Sequence, residues 1–315
     1  MTTRVASIDA AHEGSRLTPL AAHVRLQATV LLWGMTALLG KSIQVGARVL
    51  VFYRVLIVAC VMLVLLRKKR IPLAVPKRTL FELVATGALV AIHWMAFYGT
   101  IKLGGIAVAV TSLSTTTFFT ALLEPLVFRR RVRPRELVMG VLVVFGVAVL
   151  LGVELGSPRS AIALGLVSAF FSAAFGTWNG RLSKMMPAEK VTFVELSAAL
   201  VVTGATFLVK GPFVSPWALT AHDATRLVFL AIFCTALPWL WSLRVLRTLS
   251  PYTVALSIAL EPVYSLALAA LVFPSEERLG PRFYAGASIV GALVVLDAWD
   301  KRRRPQASQA TPPSG

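Results

Sequence analysis

Apolar residues run along this chain in long blocks, interrupted by short polar punctuation. Ten windows of mainly apolar residues stand out, near 26–45, 48–66, 80–101, 105–128, 135–153, 160–180, 191–209, 225–246, 250–273 and 282–298. Each has about the 20 residues that a helix needs to cross a bilayer. The pattern predicts an all-α polytopic membrane protein with ten transmembrane helices. Most connections are too short to hold a domain. The longest, from Lys210 to Arg226, carries Pro212, Pro216 and Trp217 and reads as an interfacial segment.

Composition agrees with this pattern and removes other classes. The chain is 57% hydrophobic and 15% charged, against about 25% charged for a soluble domain. So large an apolar surplus does not fit inside one water-facing globule. A net charge of +18 would suit nucleic acid, but the basic residues sit in clusters between spans, so no nucleic-acid partner is expected. Cys60 and Cys234 lie inside apolar runs and read as small buried hydrophobes. No phosphate loop, zinc-spaced histidine pair or nucleophile elbow occurs, and no cofactor or metal site is expected.

The basic clusters set the orientation. With the N-terminus in the cytoplasm, the inside segments hold Arg67 to Arg70, Lys77 and Arg78, then Arg129 to Arg135, Arg181, Lys184 and Lys190, Arg244 and Arg247, and Lys301 to Arg304. The outside loops hold mostly single charges, such as Arg48, Lys102, Arg159 and Lys210. The inside excess is roughly threefold, a strong bias by the positive-inside rule. Both termini are expected in the cytoplasm of a bacterial-type inner (plasma) membrane.

The chain repeats itself. Leu126-Val127-Phe128 matches Leu271-Val272-Phe273, Pro134-Arg135 matches Pro281-Arg282, Gly140 matches Gly286, and Gly40-Lys41 matches Gly180-Arg181, at offsets of 140–147 residues. Five spans per half is an odd number, so the halves enter the membrane from opposite sides. Such inverted repeats recur among secondary transporters. The expected organisation is a cytoplasmic N-terminal tail (1–25), a first five-helix repeat (26–153), a second (160–298) and a basic cytoplasmic tail (299–315). The corner after the fourth window is arginine-rich, whereas its counterpart carries Glu276 and Glu277, as opposite sides of a membrane would require.

Several stretches resemble the EamA-like branch of the drug/metabolite transporter superfamily. The first span reads LLWGMTALLGKSI, with Trp33-Gly34 and Lys41; the second opens toward Arg54 in LVFYRVLI; the ninth reads LSPYTVALSIALEPVYSLALA, around Leu260-Glu261-Pro262-Val263. Glycines at 140, 146, 286 and 291 fit as well, and the resemblance covers about residues 25–298. One departure stands out: the family often has a Gly-Glu pair after the fourth helix, and here that corner is all arginine, with Glu124 upstream. The resemblance implies export of amino acids, related metabolites or amphiphilic drugs, often driven by proton entry.

Ionisable groups inside spans are costly, about 2.5–3.5 kcal/mol each on insertion scales, and usually face a cavity or a partner. Lys41, Arg54, His93, Glu195 and Glu261 are such groups. Lys41, Arg54 and Glu195 lie near the ends of their runs, where snorkelling to the interface competes with a cavity role. Arg54 and Glu195 occupy similar places in the two repeats, which makes an ion pair between them a candidate contact. Glu261 is mid-span and precedes Pro262, which frees the carbonyl of Ile258. Thr253, Ser257, Glu261 and Ser265 recur every four residues, as do Ser112, Thr116, Thr120 and Glu124, predicting two polar stripes facing one cavity. Packing hydroxyls would read the same way. Trp33, Trp94, Asn179 and Tyr264 join the cavity candidates, with Ser168, Ser172 and Gly176 on the face of Asn179. Glu261, Glu195 and His93 are the candidates for proton coupling.

The leading expectation is therefore a carrier of a small organic solute in the lipid bilayer, working by alternating access with protons as the candidate coupling ion. A lipid-modifying membrane enzyme is the competing reading. It would need clustered catalytic groups, and the four histidines are scattered. A non-transporting scaffold would have no polar midplane.

Overall fold

A computed structural model describes residues 17–151, 158–209, 213, 215–272 and 280–303. The Glu276–Glu277 corner, Lys210 and Pro212, and the ends of both tails lie outside these residues. Every regular element among the described residues is helical: α1 (Pro19–Ser42), α2 (Ala47–Lys68), α3 (Lys77–Ser114), α4 (Thr116–Phe128), α5 (Pro134–Leu151), α6 (Arg159–Met185), α7 (Ala188–Val209), α8 (Ala221–Ala231), a π turn (Ile232–Ala236), α9 (Leu237–Val245), α10 (Pro251–Ile258), α11 (Glu261–Val272) and α12 (Pro281–Arg303). A short 3₁₀ turn, Pro216–Ala218, precedes α8. Seven stretches among the described residues are long and apolar enough to cross a membrane, one of them the 52 residues from Lys77 to Phe128.

The helix boundaries have local causes. The first helix begins at Pro19, ahead of the apolar window that starts at 26, because Thr18 caps it: its hydroxyl accepts the Ala21 N–H and a proline follows at the first position. The Lys77–Phe128 stretch changes direction at Gly105, whose φ of 82° and ψ of 174° only glycine adopts without strain. Arg129 ends α4 in the left-handed region, φ 51°, which lets the Arg130 N–H close back on the Pro125 carbonyl.

Two of the elements are broken at matching places. The Thr115 N–H bonds the Ser112 carbonyl at 3.1 Å, and the Leu260 N–H bonds the Ser257 carbonyl at 3.0 Å. Both are three-residue closures that tighten the helix before it restarts, at Thr116 in one case and Glu261 in the other. In the second, Pro262 withdraws a backbone donor. The first has no proline; there the Thr115 hydroxyl bonds the Ser112 carbonyl at 2.6 Å.

Packing is reciprocal between the halves. The contacts of α3 with α6 and α7 are mirrored by those of the α8–α9 element with α1 and α2. The contact of α4 with α6 is mirrored by that of α11 with α1, while α2 meets α7 and α5 meets α12. Small residues permit the close approaches: a Cβ on Gly87 would lie 2.2 Å from the Glu195 carbonyl oxygen, and one on Gly286 would lie 2.5 Å from that of Gly146. The apolar core forms a large cluster on α1–α3, α6, α7 and the α8–α9 element, and a smaller one on α4, α5, α10 and α12. Outward faces remain apolar, with Phe81, Leu126, Val201 and Leu208 exposed, the surface expected where the solvent is hydrocarbon.

Candidate functional site

A cavity lies against the larger apolar cluster, lined by α1, α2, α3, α4, α6, α9, α10 and α11. It offers about 100 Å³ to the centres of water-sized molecules. A single water needs about 10–15 Å³ on that measure, so there is room for several waters or a small solute. Arg54, His93, Thr116, Thr120, Asn179 and Glu261 supply polar groups; Trp33, Trp94, Phe97, Phe175 and Trp239 supply aromatic walls.

Arg54 is held at one end of this space and is 2% exposed. Its Nε donates to Thr235 Oγ1 at 2.6 Å, one terminal nitrogen donates to the Tyr98 hydroxyl at 2.7 Å, and the other approaches the Cys234 carbonyl at 3.5 Å. The guanidinium lies 4.1 Å from the centroid of Trp94, a cation–π contact. The π turn makes this possible. It places Thr235 so that its hydroxyl bonds the Leu230 carbonyl at 2.7 Å while accepting from Arg54. Pro238 has no N–H to offer the Cys234 carbonyl four residues back. Among the described residues every hydrogen-bond partner of Arg54 is thus neutral, and no ion pair within 4 Å cancels its charge.

Glu261 opens α11 directly after the break and is 4% exposed. Among the described residues it makes no hydrogen bond and no ion pair within 4 Å. Arg54 acts on it through space only. Glu261 also borders a second, smaller void between the two broken elements, beside Ser114 and Pro262. One cavity therefore holds a guanidinium and a carboxyl group that do not touch.

His93 Nδ1 lies 2.9 Å from the Ser168 carbonyl, and the Ser168 hydroxyl reaches the His93 carbonyl at 3.1 Å. The Ser168 hydroxyl also lies 2.9 Å from Nδ1; a hydrogen on Nδ1 serves the carbonyl, which accepts only, and leaves Nε2 as an acceptor. The ring packs against Phe97 and Phe175, and Phe175 in turn stacks on Trp239.

The residues expected from sequence divide. Trp33, Arg54, His93, Trp94, Thr116, Thr120, Asn179 and Glu261 line the cavity. Lys41 sits exposed in the last turn of α1, and the Tyr264 hydroxyl donates to Gln27 at 2.8 Å. Neither lines the cavity. Ser112 is buried against Gly165, and Ser257 is buried just before the second break; they too are off the cavity wall. The four-residue stripes do not persist, because such spacing holds a face only while the helix is continuous, and both helices break between the serine and its successor. The Arg54–Glu195 pair does not form: Glu195 instead meets Thr86, Asn179 and Trp239.

Some partners were not singled out by sequence. Thr235 and Phe175 carried no spacing signal; Pro238, inside an apolar run, was the available clue to the bulge. Glu124 acquires a role that its departure from the family pattern had obscured. It accepts the Tyr252 N–H at 2.7 Å at the start of α10 and meets Arg130 at 3.2 Å, and Arg130 bonds Glu136 at 2.6 Å. An arginine thus joins two buried carboxylates at the corner where α4, α5 and α10 converge. Burial works against its charge, but the neighbouring Glu124 and Glu136 prevail and raise the Arg130 pKa further.

Two comparisons place this arrangement among known proteins. A family model described as the EamA-like transporter family matches residues 24–152 and again 159–296. A solved structure titled only "Crystal structure of protein" aligns with a TM-score of 0.74 at 16% identity, covering 91% of this chain and 99% of that one. At that identity the likeness shows the fold alone. A comparison with curated proteins gave no match.

Proposed function

The chain belongs to the EamA-like transporter family, and on that premise we propose that this multi-pass membrane transporter exports a small zwitterionic or amphiphilic metabolite, such as an amino acid. The observation that carries this reading is the unpaired Arg54 and Glu261 in one cavity. A buried charge without a counter-ion is costly, and a bound solute offering a carboxylate to Arg54 and an ammonium to Glu261 would remove both costs together. The aromatic walls would take its apolar side chain. Nε2 of His93 would accept a further hydrogen bond.

We read the architecture as ten spans in two inverted five-helix repeats. The Lys77–Phe128 stretch counts as two spans divided at Gly105, and α1 and α5 are added to the seven stretches that qualify on length and hydropathy. The organisation into tails and repeats follows the sequence boundaries, with both termini in the cytoplasm of an inner membrane. The matching breaks at Thr115 and Leu260 support this reading, because discontinuous helices near the midplane mark transporter sites. Rocking of one half against the other would expose the cavity to alternate sides.

Protonation of Glu261 would compete with the solute's cationic group for one carboxylate, which couples proton entry to solute exit. The test is purified protein in liposomes, offered labelled amino acids and cationic drugs with and without a pH gradient. Gradient-driven movement of an amino acid supports the reading. Movement of cationic drugs alone would refute the zwitterion, and movement of neither would refute the transport assignment to these solutes.

A further inference from the structure

Behind the cavity wall lies a second carboxyl group that the solute does not reach. Glu195 on α7 is 0% exposed. Its Oε1 is 2.8 Å from the Thr86 hydroxyl on α3; its Oε2 is 3.3 Å from Asn179 Nδ2 on α6 and 3.4 Å from Trp239 Nε1 on α9. The ionisable groups on the surrounding helices include Glu82 and His93 on α3, Arg54 on α2, Arg181 on α6, Arg244 on α9, and Glu189 and Lys190 on its own helix. None pairs with Glu195 within 4 Å, and Glu82, Arg181, Glu189 and Arg244 are taken up with one another or with Lys69 and Arg78 at the helix ends.

Hydrogen counting shows what this node does. The Thr86 hydroxyl has one hydrogen and faces three oxygens: Oε1 of Glu195 and the carbonyls of Glu82 and Leu83, both at 3.0 Å. Carbonyls cannot donate. With Glu195 protonated, its O–H donates to Thr86 and Thr86 donates onward to the backbone, so the chain is complete. With Glu195 ionised, Thr86 turns its hydrogen to the carboxylate and gives up the backbone bond. The two N–H contacts at 3.3 and 3.4 Å also lie beyond the 2.7–3.2 Å of an ordinary N–H···O bond. Asn179 adds an independent sign: its Oδ1 is buried without any partner among the described residues. With the amide turned over, so that Oδ1 takes the place of Nδ2 at Oε2, a protonated Glu195 would donate to that oxygen; an ionised one could not.

We propose that Glu195 is a proton-binding site separate from the solute cavity, and that Asn179 and Trp239 carry its protonation state to the cavity wall. Both residues line the cavity. Binding one proton converts the carboxylate to a neutral acid. Losing it draws the Asn179 and Trp239 N–H groups toward the carboxylate and shifts the α6 and α9 faces that the solute meets. Coupling here is by shape, whereas at Glu261 it is by competition. The inference rests on the transporter reading for its purpose, but its test does not need a solute.

Protein labelled with 5-fluorotryptophan and reconstituted in nanodiscs would be followed by ¹⁹F NMR, with Trp239 assigned from Trp239→Phe. The Trp239 resonance should move as pH is varied over the range in which the protein stays folded. Glu195→Gln should abolish the movement, and Glu261→Gln should leave it in place. A Trp239 resonance that never titrates, or one that titrates equally in Glu195→Gln, overturns the proposal. Should Glu195→Gln fail to fold, Thr86→Val decides: loss of the hydroxyl must shift the midpoint of the Trp239 titration, and an unmoved midpoint is equally fatal. If Glu261→Gln transports normally while this titration holds, the competition model fails and the Glu195 site stands.

Discussion

Arg54 and Glu261 line the same buried cavity and leave each other unpaired. Three neutral oxygens and the face of Trp94 hold Arg54, so its geometry is fixed while its charge stays available.

Glu261→Gln keeps the shape and hydrogen-bonding capacity of the side chain and removes its titration. The variant is expected to insert and fold and to lose the pH-gradient dependence of transport in liposomes. An unchanged rate with unchanged pH dependence would make Glu261 a packing residue.

Arg54→Met tests whether the guanidinium serves binding or stability. An isolated buried charge is itself costly, so its removal offsets the loss of the hydrogen bonds to Tyr98 and the Cys234 carbonyl, and Thr235 keeps its bond to the Leu230 carbonyl. Thermal unfolding in detergent should therefore occur no earlier than in wild type, while amino-acid transport falls at least about tenfold, the loss of one charge-assisted hydrogen bond. A strongly lowered Tm would assign Arg54 to the fold.

The Arg130 corner should behave in the opposite way. Arg130→Gln leaves Glu124 and Glu136 buried without their shared cation. Breaking a buried pair costs about 3–5 kcal/mol, and somewhat less here because Arg130 is partly exposed. Early unfolding with near-normal transport per folded molecule is expected. Wild-type stability would show that the corner is dispensable.

Gly87→Ala probes the α3–α7 contact beside Glu195. The new methyl would meet the Glu195 carbonyl oxygen at 2.2 Å and the Ala198 Cβ at 2.7 Å, neither of which is a flexible chain end. Overpacking of this kind costs about 1–3 kcal/mol, to be read as a lowered midpoint in thermal or chemical unfolding. An unchanged midpoint would mean that the helices separate freely.

Orientation has a direct check. With Ser215 and Lys69 replaced singly by cysteine in a background lacking Cys60 and Cys234, a membrane-impermeant reagent should label the 215 position from outside and spare position 69. The reverse pattern would overturn the inside-facing assignment of the basic loops and the inverted repeat with it.

The helices, their approximate limits and the twofold repeat were legible in the sequence because a bilayer imposes a simple one-dimensional rule. Each span must be long, apolar and internally hydrogen-bonded, and its flanks carry the charge bias of their side. Arg54, Glu261, Asn179 and the tryptophans stood out for the same reason, as polar groups where polar groups are expensive. Which of them share a wall was decided by tertiary structure alone. The breaks at Thr115 and Leu260 swing Ser112 and Ser257 away from the residues four positions on, so a helical stripe drawn through them misleads. The π turn brings Thr235 to Arg54, and close contact between α3 and α7 encloses Glu195 among neutral donors instead of beside Arg54. These outcomes depend on distances between segments far apart in the chain, and local periodicity carries no record of them.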